Sequence, residues 1–517
     1  MAFSGQPPPQ KFNMSRYCLA PNEERPADKT ALIVVNDLDT LEAAEFWSFG
    51  ELEDAVLRIA AGLKARGLER GDRLLIRLGN TSDYALLFYG AIAGGFVPIP
   101  ASSTLSGREV AFFCEDCAVK AIALDESLPA DDLPNTIQVL KDDEIAALKQ
   151  YPERADYADT NAEDSAFIVF TSGTGSDPKG VLHAHRSAWG RRPMYHDWYE
   201  ISCADRMLHA GAFNWTYTLG VGLSDPWANA ASSVIYTGPK DTCVWPRLIA
   251  EHHVTLFAGV PTLFRQILKY CDFDRDAMSS LRHGLVGGER LPTGLKKEWR
   301  KRTGRPLYEA IGMSELSTYV SMAPSVPPKD DAIGKPQAGR HIEILPLEGG
   351  TEPLPRNELG VMACHRSDPG LMLGYWNRPD EEKLVYRGDW FLTGDLATMD
   401  DEGYVSHHGR ADDLMNALGY RVSPAEVEKV LGSHPDVAEV AVAEVQVRPD
   451  VSVIGAFLVP NEGSAPDAEA IKSYAEERLA GYKVPREYVF LESLPRSPNG
   501  KVRRAELRAS GLAAASS

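Results

Sequence analysis

The sequence has no long apolar run, little cysteine and no surplus of positive charge, and each shortage removes a class of protein. Seven cysteines among 517 residues, odd in number and scattered, do not make a disulfide framework. Cys114 and Cys117 form a C-x-x-C. Zinc would need a second ligand pair and a redox site a thioredoxin-like context, so both read as buried structural thiols at a helix end. With 54 Lys and Arg against 73 Asp and Glu, the formal charge is −19, which repels nucleic acid and anionic membranes. No nucleic-acid partner is expected, and an anionic substrate must be caught by a local arrangement. The longest uncharged stretch, Ala85 to Ala101, is short and broken by Gly94, Gly95, Pro98 and Pro100. It reads as a buried helix, a glycine turn and a buried strand, so no membrane span is expected. The opening residues carry no apolar signal core, and a cytoplasmic location is the expectation. There is no internal repeat, no G-x-S-x-G elbow and no convincing Cys–His pair.

What is present is ordinary globular composition, 44% hydrophobic and 25% charged, in a chain too long for one core. Residues 50–130 alternate helical patterns with short apolar strands: Leu52 to Gly67, Arg73 to Arg77, Tyr84 to Ala93, Phe96 to Pro100. That is the rhythm of α/β structure with parallel strands, and it recurs over 160–320. Residues 330–409 are richer in short strands and turns, as expected of a small β-barrel or β-subdomain. Beyond Gly409-Arg410-Ala411-Asp412-Asp413 lies a compact α+β unit. Its first helix is signalled by Ser423-Pro424-Ala425-Glu426, a capping-box pattern, and stops at Gly432. The expected architecture is α/β: an N-terminal domain over 1–409 with two αβα-type sheets and a small β-barrel, a junction at 410–412, and a small mobile α+β domain over 413–517. A charged, glycine-bearing junction is where a hinge could sit.

The strand Ser165 to Phe170 runs into Thr171-Ser172-Gly173-Thr174-Gly175-Ser176-Asp177-Pro178-Lys179-Gly180. Small residues let backbone N–H groups curl around an anion, four hydroxyls add donors, and Lys179 supplies a mobile positive charge. This suits a triphosphate. It is not a Walker A loop, because Val181 follows Gly180 where lysine is required. Composition alone does not name the nucleotide.

At this loop the chain resembles the T-S-G-T-T-G-x-P-K-G signature of the adenylate-forming superfamily, which contains acyl-CoA synthetases, peptide-synthetase adenylation domains and firefly luciferase. Gly175-Ser176 replaces the usual Thr-Gly pair. The resemblance runs over roughly residues 25–510 with the motifs in family order, and implies ATP, Mg²⁺ and coenzyme A. Tyr308-Glu309-Ala310-Ile311-Gly312-Met313-Ser314-Glu315 is similar to the segment ending Y-G-x-T-E. By that match Glu315 holds Mg²⁺ on the phosphates, Ser314 contacts the α-phosphate and Glu309 lies near the adenine, with Ile311 in place of the usual aromatic. Gly288 and Glu289 resemble the turn on which the purine lies. Trp390-Phe391-Leu392-Thr393-Gly394-Asp395 resembles the segment whose Asp395 accepts the ribose hydroxyls, with Arg410 also reaching the nucleotide and Asp412 as hinge. Gly419 and Arg421, in Asn416 to Arg421, would line the thiol channel. Pro495 to Lys501 resembles P-K-T-x-S-G-K, making Lys501 the catalytic lysine. With Ser314 and Glu315 it completes the implied catalytic set.

Family position puts the acid pocket between Ala212–Gly220 and the segments 286–289 and 309–313. Trp215, Tyr217, Ile311 and Gly312 would form it, and the aromatic pair suggests a hydrophobic acid. No aspartate is poised there for an amino acid's ammonium. Length and pocket look most like medium-chain or benzoate-type acid–CoA ligases. His183 and His185 lack a third metal ligand and read as core or pocket lining, while His252-His253 and His407-His408 read as structural. Two rivals stay open: an adenylation enzyme loading a carrier protein in trans, and a non-catalytic nucleotide-binding relative. Which acid is used, and the oligomeric state, are left open.

Overall fold

The computed structural model describes residues 5–128, 133–171, 178–239, 241–413, 415–417, 420–448, 451–461, 463–464, 466–496, 502–504 and 506–508. By contacts the chain divides into two compact units. One comprises 1–341 with 365–386, the other 342–364 with 387–517.

The first unit is built on a nine-stranded sheet. Its six inner strands, Leu307–Met313, His283–Val286, Leu256–Gly259, Arg206–His209, Ser232–Tyr236 and Thr30–Val35, run parallel. Antiparallel neighbours flank them: Ser317–Ser321 and Lys335–Pro336 at one edge, Ala43–Ser48 at the other. A four-stranded parallel sheet takes Val97–Pro100, Arg73–Arg77, Ala121–Leu124 and Gln138–Leu140. Their continuous apolar runs, such as Leu74-Leu75-Ile76, are wholly buried, as strands covered on both faces require. The helix Phe49–Ala65 opens on a formed capping box between Ser48 and Glu51. The long uncharged stretch folds as expected: helix Ser82–Gly94, Gly95 at φ 79° and strand Val97–Pro100. No helix among the described residues is long and apolar enough to cross a membrane. A third sheet joins Ser165–Thr171, Lys179–Ala184 and Gly374–Tyr375.

Cys114 and Cys117 are free and buried at the end of the helix Gly107–Asp116, and burial raises their thiols to about 11 and about 12. Cys243 and Cys271 form a disulfide. The count had excluded a framework of bridges. This single pair joins the residue before the helix Val244–Glu251 to the residue after the helix Pro261–Tyr270.

Of the stretch 330–409, expected to form a β-subdomain within the N-terminal domain, residues 342–364 and 387–409 fall in the second unit and the rest in the first. The second unit holds a five-stranded sheet in which Ile342–Leu345, Gly360–His365, Trp390–Met399 and Tyr386–Arg387 follow one another, with Val405–Arg410 paired to Trp390–Met399. Further on, Val437–Arg448, Val451–Pro460 and Glu487–Phe490 form a three-stranded sheet. The helices Pro424–Leu431 and Ala468–Glu476 pack their buried Val427, Leu431, Ile471 and Ala475 into the same core cluster as Val442, Ala456 and Leu458. The capping box expected at Ser423 does not form. The Ser423 hydroxyl donates to the His408 carbonyl instead, and Glu426 pairs with Lys483 at 2.5 Å.

Candidate functional site

Thr171 ends one strand and Lys179 begins the next, and the two stand opposite each other in antiparallel register. The chain between them includes Ser172, Gly173 and Thr174, which lie outside the described residues. Phe170 stacks on Phe113 with centroids 3.8 Å apart, and Ile168 is fully buried, so the hairpin base is anchored in the core. The Lys179 ammonium lies 5.5 Å above the Tyr375 ring and forms an ion pair with Glu381.

Glu315 sits at the tip of a tight hairpin, where Met313 pairs with Ser317 between the strands Leu307–Met313 and Ser317–Ser321. Ser317 adopts φ 73°, a left-handed conformation that costs free energy in a non-glycine residue and is found where a tip must be aimed. A side chain at Gly312 would lie 2.7 Å from the Ser317 carbonyl, so this position accepts only glycine. The tip is held from outside itself. Met372 N–H donates to the Glu315 carbonyl at 2.8 Å, and the Tyr375 hydroxyl donates to Glu315 Oε1 at 2.8 Å. Tyr375 therefore joins Lys179, which meets its ring, to Glu315, which meets its hydroxyl.

Beneath the tip, His183 is buried and stacked on Phe167 at 4.6 Å, and its Nε2 contacts the Ser314 carbonyl at 2.9 Å. Burial lowers its pKa to about 3, so the ring is neutral and Nε2 must carry the proton it donates. His185 is also neutral, lowered to about 4 by burial, and accepts from Met14 N–H at 3.1 Å. Both histidines are thus core supports, and no group of three or more His, Cys, Asp or Glu among the described residues could hold a metal. Two buried ion pairs brace the surroundings. Arg340 meets both oxygens of Asp368 at 2.7 Å, fixing the turn that leads to Met372. Arg191 meets Asp225 at 2.7 and 2.6 Å and also donates to the Ser317 hydroxyl. Burial alone would lower the Arg191 pKa, but Asp225 outweighs it and raises it. A cavity of about 30 Å³ behind Ser314, bordered by Phe167, His183, Arg191, Thr216 and Ser317, has room for a water rather than an acid.

The Tyr217 ring lies over Gly287, where a side chain would meet it at 3.2 Å, and next to His209 at 4.5 Å. Gly288 follows at φ 90° and leads to Glu289. Trp215 precedes the short helix Thr216–Leu219 and is half-buried, as is Ile311, which pairs with Val320. The structure thus brings Tyr217 to the glycine turn. Glu309 is buried, and its Oε1 accepts from Leu291 N–H at 2.7 Å, which ties the strand to the segment after that turn.

In the second unit Asp395 and Arg410 face each other on adjacent antiparallel strands, with Arg410 Nη1 3.8 Å from Asp395 Oδ1 and 2.8 Å from the Thr393 carbonyl. His407, read from sequence as structural, places Nε2 3.1 Å from Asp395 Oδ1. Gly394 adopts φ 75°, and a side chain there would meet the Arg410 guanidinium at 2.7 Å. Asp412 lies in the short turn Ala411–Asp413 and Arg421 in the strand Tyr420–Val422. Gly419 and Lys501 lie outside the described residues.

Sequence reasoning missed Tyr375, Glu381, Asp368, Arg340, Arg191, Asp225 and His407. The only signal for the first two was their place after the glycine of Leu373-Gly374-Tyr375. Chemically, the first unit offers a lysine and a carboxylate linked through Tyr375, and the second a buried carboxylate beside an arginine. These are the groups a nucleotide's phosphates, its metal and its ribose require.

A family model described as AMP-binding enzyme matches residues 19–376, and one described as AMP-binding enzyme C-terminal domain matches residues 426–501. An uncharacterized acyl–CoA ligase of Bacillus subtilis (strain 168) is 29% identical over 93% of this chain and 93% of its own length. A benzoate–CoA ligase of Thauera aromatica is 29% identical over 90% of this chain and 92% of its own. The crystal structure of ATP-bound MatB from Rhodopseudomonas palustris aligns with a TM-score of 0.88 at 25% identity, over 97% of this chain and 99% of that one.

Proposed function

Because this chain belongs to the AMP-binding enzyme family, it is an AMP-forming acid–thiol ligase, and we propose that it joins a hydrophobic carboxylic acid to coenzyme A through an acyl-adenylate. The observation that carries this reading is the tie between Lys179 and Glu315 through Tyr375. A carboxylate is a poor electrophile. Its oxygen attacks the α-phosphorus of ATP, pyrophosphate leaves, and the acyl carbon then carries AMP as a leaving group. Negative charge builds on phosphoryl oxygens, so the step needs cations and N–H donors rather than a protein nucleophile. Lys179 and the 171–180 loop meet that need. The sulfur of the thiol then attacks the acyl carbon and expels AMP.

Mg²⁺ fits the Glu315 tip. A hard cation favours carboxylate oxygen, and only Oε1 of Glu315 is engaged by Tyr375, so Glu315 would be the residue to hold it. When bound, Mg²⁺ would supply positive charge against the phosphates, and Glu315 would hold it. Asp395 and Arg410 bind the ribose side, Ser314 faces the α-phosphate, and Tyr217, Trp215, Ile311 and Gly312 border the acid. The likeness to a benzoate–CoA ligase supports an aromatic or similarly apolar acid.

The assignment includes a division of labour at the 410–412 hinge. Lys501 serves adenylation and Gly419 serves thiol transfer. Lys501→Ala is expected to raise the adenylation barrier by about 3–4 kcal/mol, while preformed acyl-adenylate still reacts with thiol. Equal loss in both half-reactions would defeat it. The function itself is tested with a panel of carboxylic acids, read by AMP release with coenzyme A present. Apolar aromatic and medium-chain acids are expected to lead. No acid-dependent ATP–pyrophosphate exchange would overturn the ligase reading, and turnover only with a carrier-protein phosphopantetheine would replace coenzyme A as acceptor.

A further inference from the structure

Lys179 is the mobile cation of the phosphate loop, yet it is not left to solvent. Its ammonium is paired with Glu381 and sits over the face of Tyr375. Glu381 is presented by the short helix Pro379–Leu384, which follows a turn that the fold fixes at several points. Trp376 N–H donates to the Gly180 carbonyl at 2.7 Å, and the Trp376 indole and the Asn377 amide both donate to the Asp116 carbonyl at 3.0 Å. Asn377 takes φ 53° to make the turn tight enough. The carboxylate is therefore carried on a braced segment. It also has a second partner, since Arg378 Nε lies 3.6 Å from its other oxygen.

We propose that Glu381 is a resident counter-ion for Lys179, holding the ammonium over Tyr375 until the nucleotide's phosphates displace it, and so is a positioning residue that sets the affinity for ATP. The proposal rests on the reading that the 171–180 loop binds a triphosphate.

Three features make the exchange workable. The side chains of Lys179 and Glu381 keep 25% and 35% of their surface exposed, so their pair is weakened by solvent and does not lock the lysine. A triphosphate with several negative charges outcompetes one carboxylate for the same ammonium. When Lys179 leaves, Arg378 remains beside Glu381, so the carboxylate is not abandoned. While the pair stands, Lys179 is kept over the ring whose hydroxyl is bonded to Glu315, so cation and carboxylate wait in register.

The experiment is calorimetric titration of the full chain with ATP, inorganic triphosphate and AMP, without acid or coenzyme A. Removing a competing carboxylate should strengthen binding, which structural damage does not do. Glu381→Gln is expected to bind ATP and triphosphate about 3- to 10-fold tighter, the equivalent of one modest ion pair, with AMP nearly unchanged. Glu381→Asp should return to near wild type. In a Lys179→Met background, Glu381→Gln should have no effect. Unchanged or weaker triphosphate binding in a Glu381→Gln protein that unfolds at the wild-type temperature would overturn the proposal. If the wild type itself binds neither ATP nor triphosphate, the reading of the loop fails first. If it binds both and Glu381→Gln gains nothing, only the counter-ion role fails.

Discussion

The two units assemble their charged residues in opposite ways. In the first, partners come from distant segments: Arg191 with Asp225 and Arg340 with Asp368 are enclosed, and Tyr375 reaches Glu315 at a half-buried tip. In the second, Asp395, His407 and Arg410 come from two strands that are neighbours in sequence and in the sheet. Its Arg504–Glu428 and Arg496–Glu439 pairs keep between a fifth and a quarter of each side chain exposed. A site made of long-range buried pairs depends on the whole core being in place. A site made on one strand pair depends on register alone.

That contrast is broken most directly at Asp225. Asp225→Asn leaves the Arg191 guanidinium buried without its carboxylate, and the Tyr199 hydroxyl loses a charged acceptor at 2.8 Å. Stranding one member of a buried pair typically costs about 3–5 kcal/mol. In the second unit, Glu428→Gln removes a partly exposed partner of Arg504, which keeps Asp413 beside it, and should cost about 1 kcal/mol or less. Urea unfolding of the two variants is the measurement. Equal losses would mean that burial is not what distinguishes the units.

The same contrast governs what could be read in the sequence. Asp395 and Arg410 were each named from motif order, and they stand close enough in sequence to meet on paired strands. The strand Arg73–Arg77 and the helix–glycine–strand run ending at Pro100 were legible because apolar runs and glycine punctuation are local properties. Tyr375 was not legible as a partner of Glu315, nor Glu381 of Lys179, because 60 and 202 positions separate them and only the packing of Gly374–Tyr375 beside Lys179–Ala184 brings them together. Ser423 carried the right local pattern for a capping box, yet tertiary context redirected its hydroxyl to His408. His407 looked structural because nothing in a lone histidine pair announces a carboxylate on the neighbouring strand.

A second, smaller asymmetry is in proton binding. Four histidines of the first unit are buried and neutral: His183 and His209 lowered to about 3, His185 and His283 to about 4, each chiefly by burial. The unfolded chain takes up protons near pH 6.5, which the folded unit refuses until pH 3–4. Their contribution is therefore complete above about pH 6.5 and is lost as pH falls through the window between the two values. The slope is at most about 1.4 kcal/mol per pH unit for each histidine. His209→Gln should flatten the dependence of unfolding free energy between pH 4 and 6 by up to that amount. An unchanged slope would mean that His209 is protonated within the fold.

The finest test is Tyr375→Phe, which keeps the ring under Lys179 and deletes only the hydroxyl that donates to Glu315 Oε1. If the long-range bond orients the carboxylate for a metal, its loss should act on the metal and on little else. A hydrogen bond to a charged acceptor contributes about 1.5–3 kcal/mol when it can be lost outright, less where water replaces it, as at this half-buried tip. The expected result is a rise of roughly fivefold, about 1 kcal/mol, in the Mg²⁺ concentration that half-saturates its enhancement of ATP binding, measured by calorimetry. ATP affinity without metal should stay near the wild-type value, because Lys179 still has its ring and its counter-ion. A loss of metal-free ATP affinity as large as the loss of the Mg²⁺ effect would show that the hydroxyl supports the fold of the tip rather than the aim of Glu315. In that case the first unit's site would tolerate no more isolated change than its buried ion pairs do.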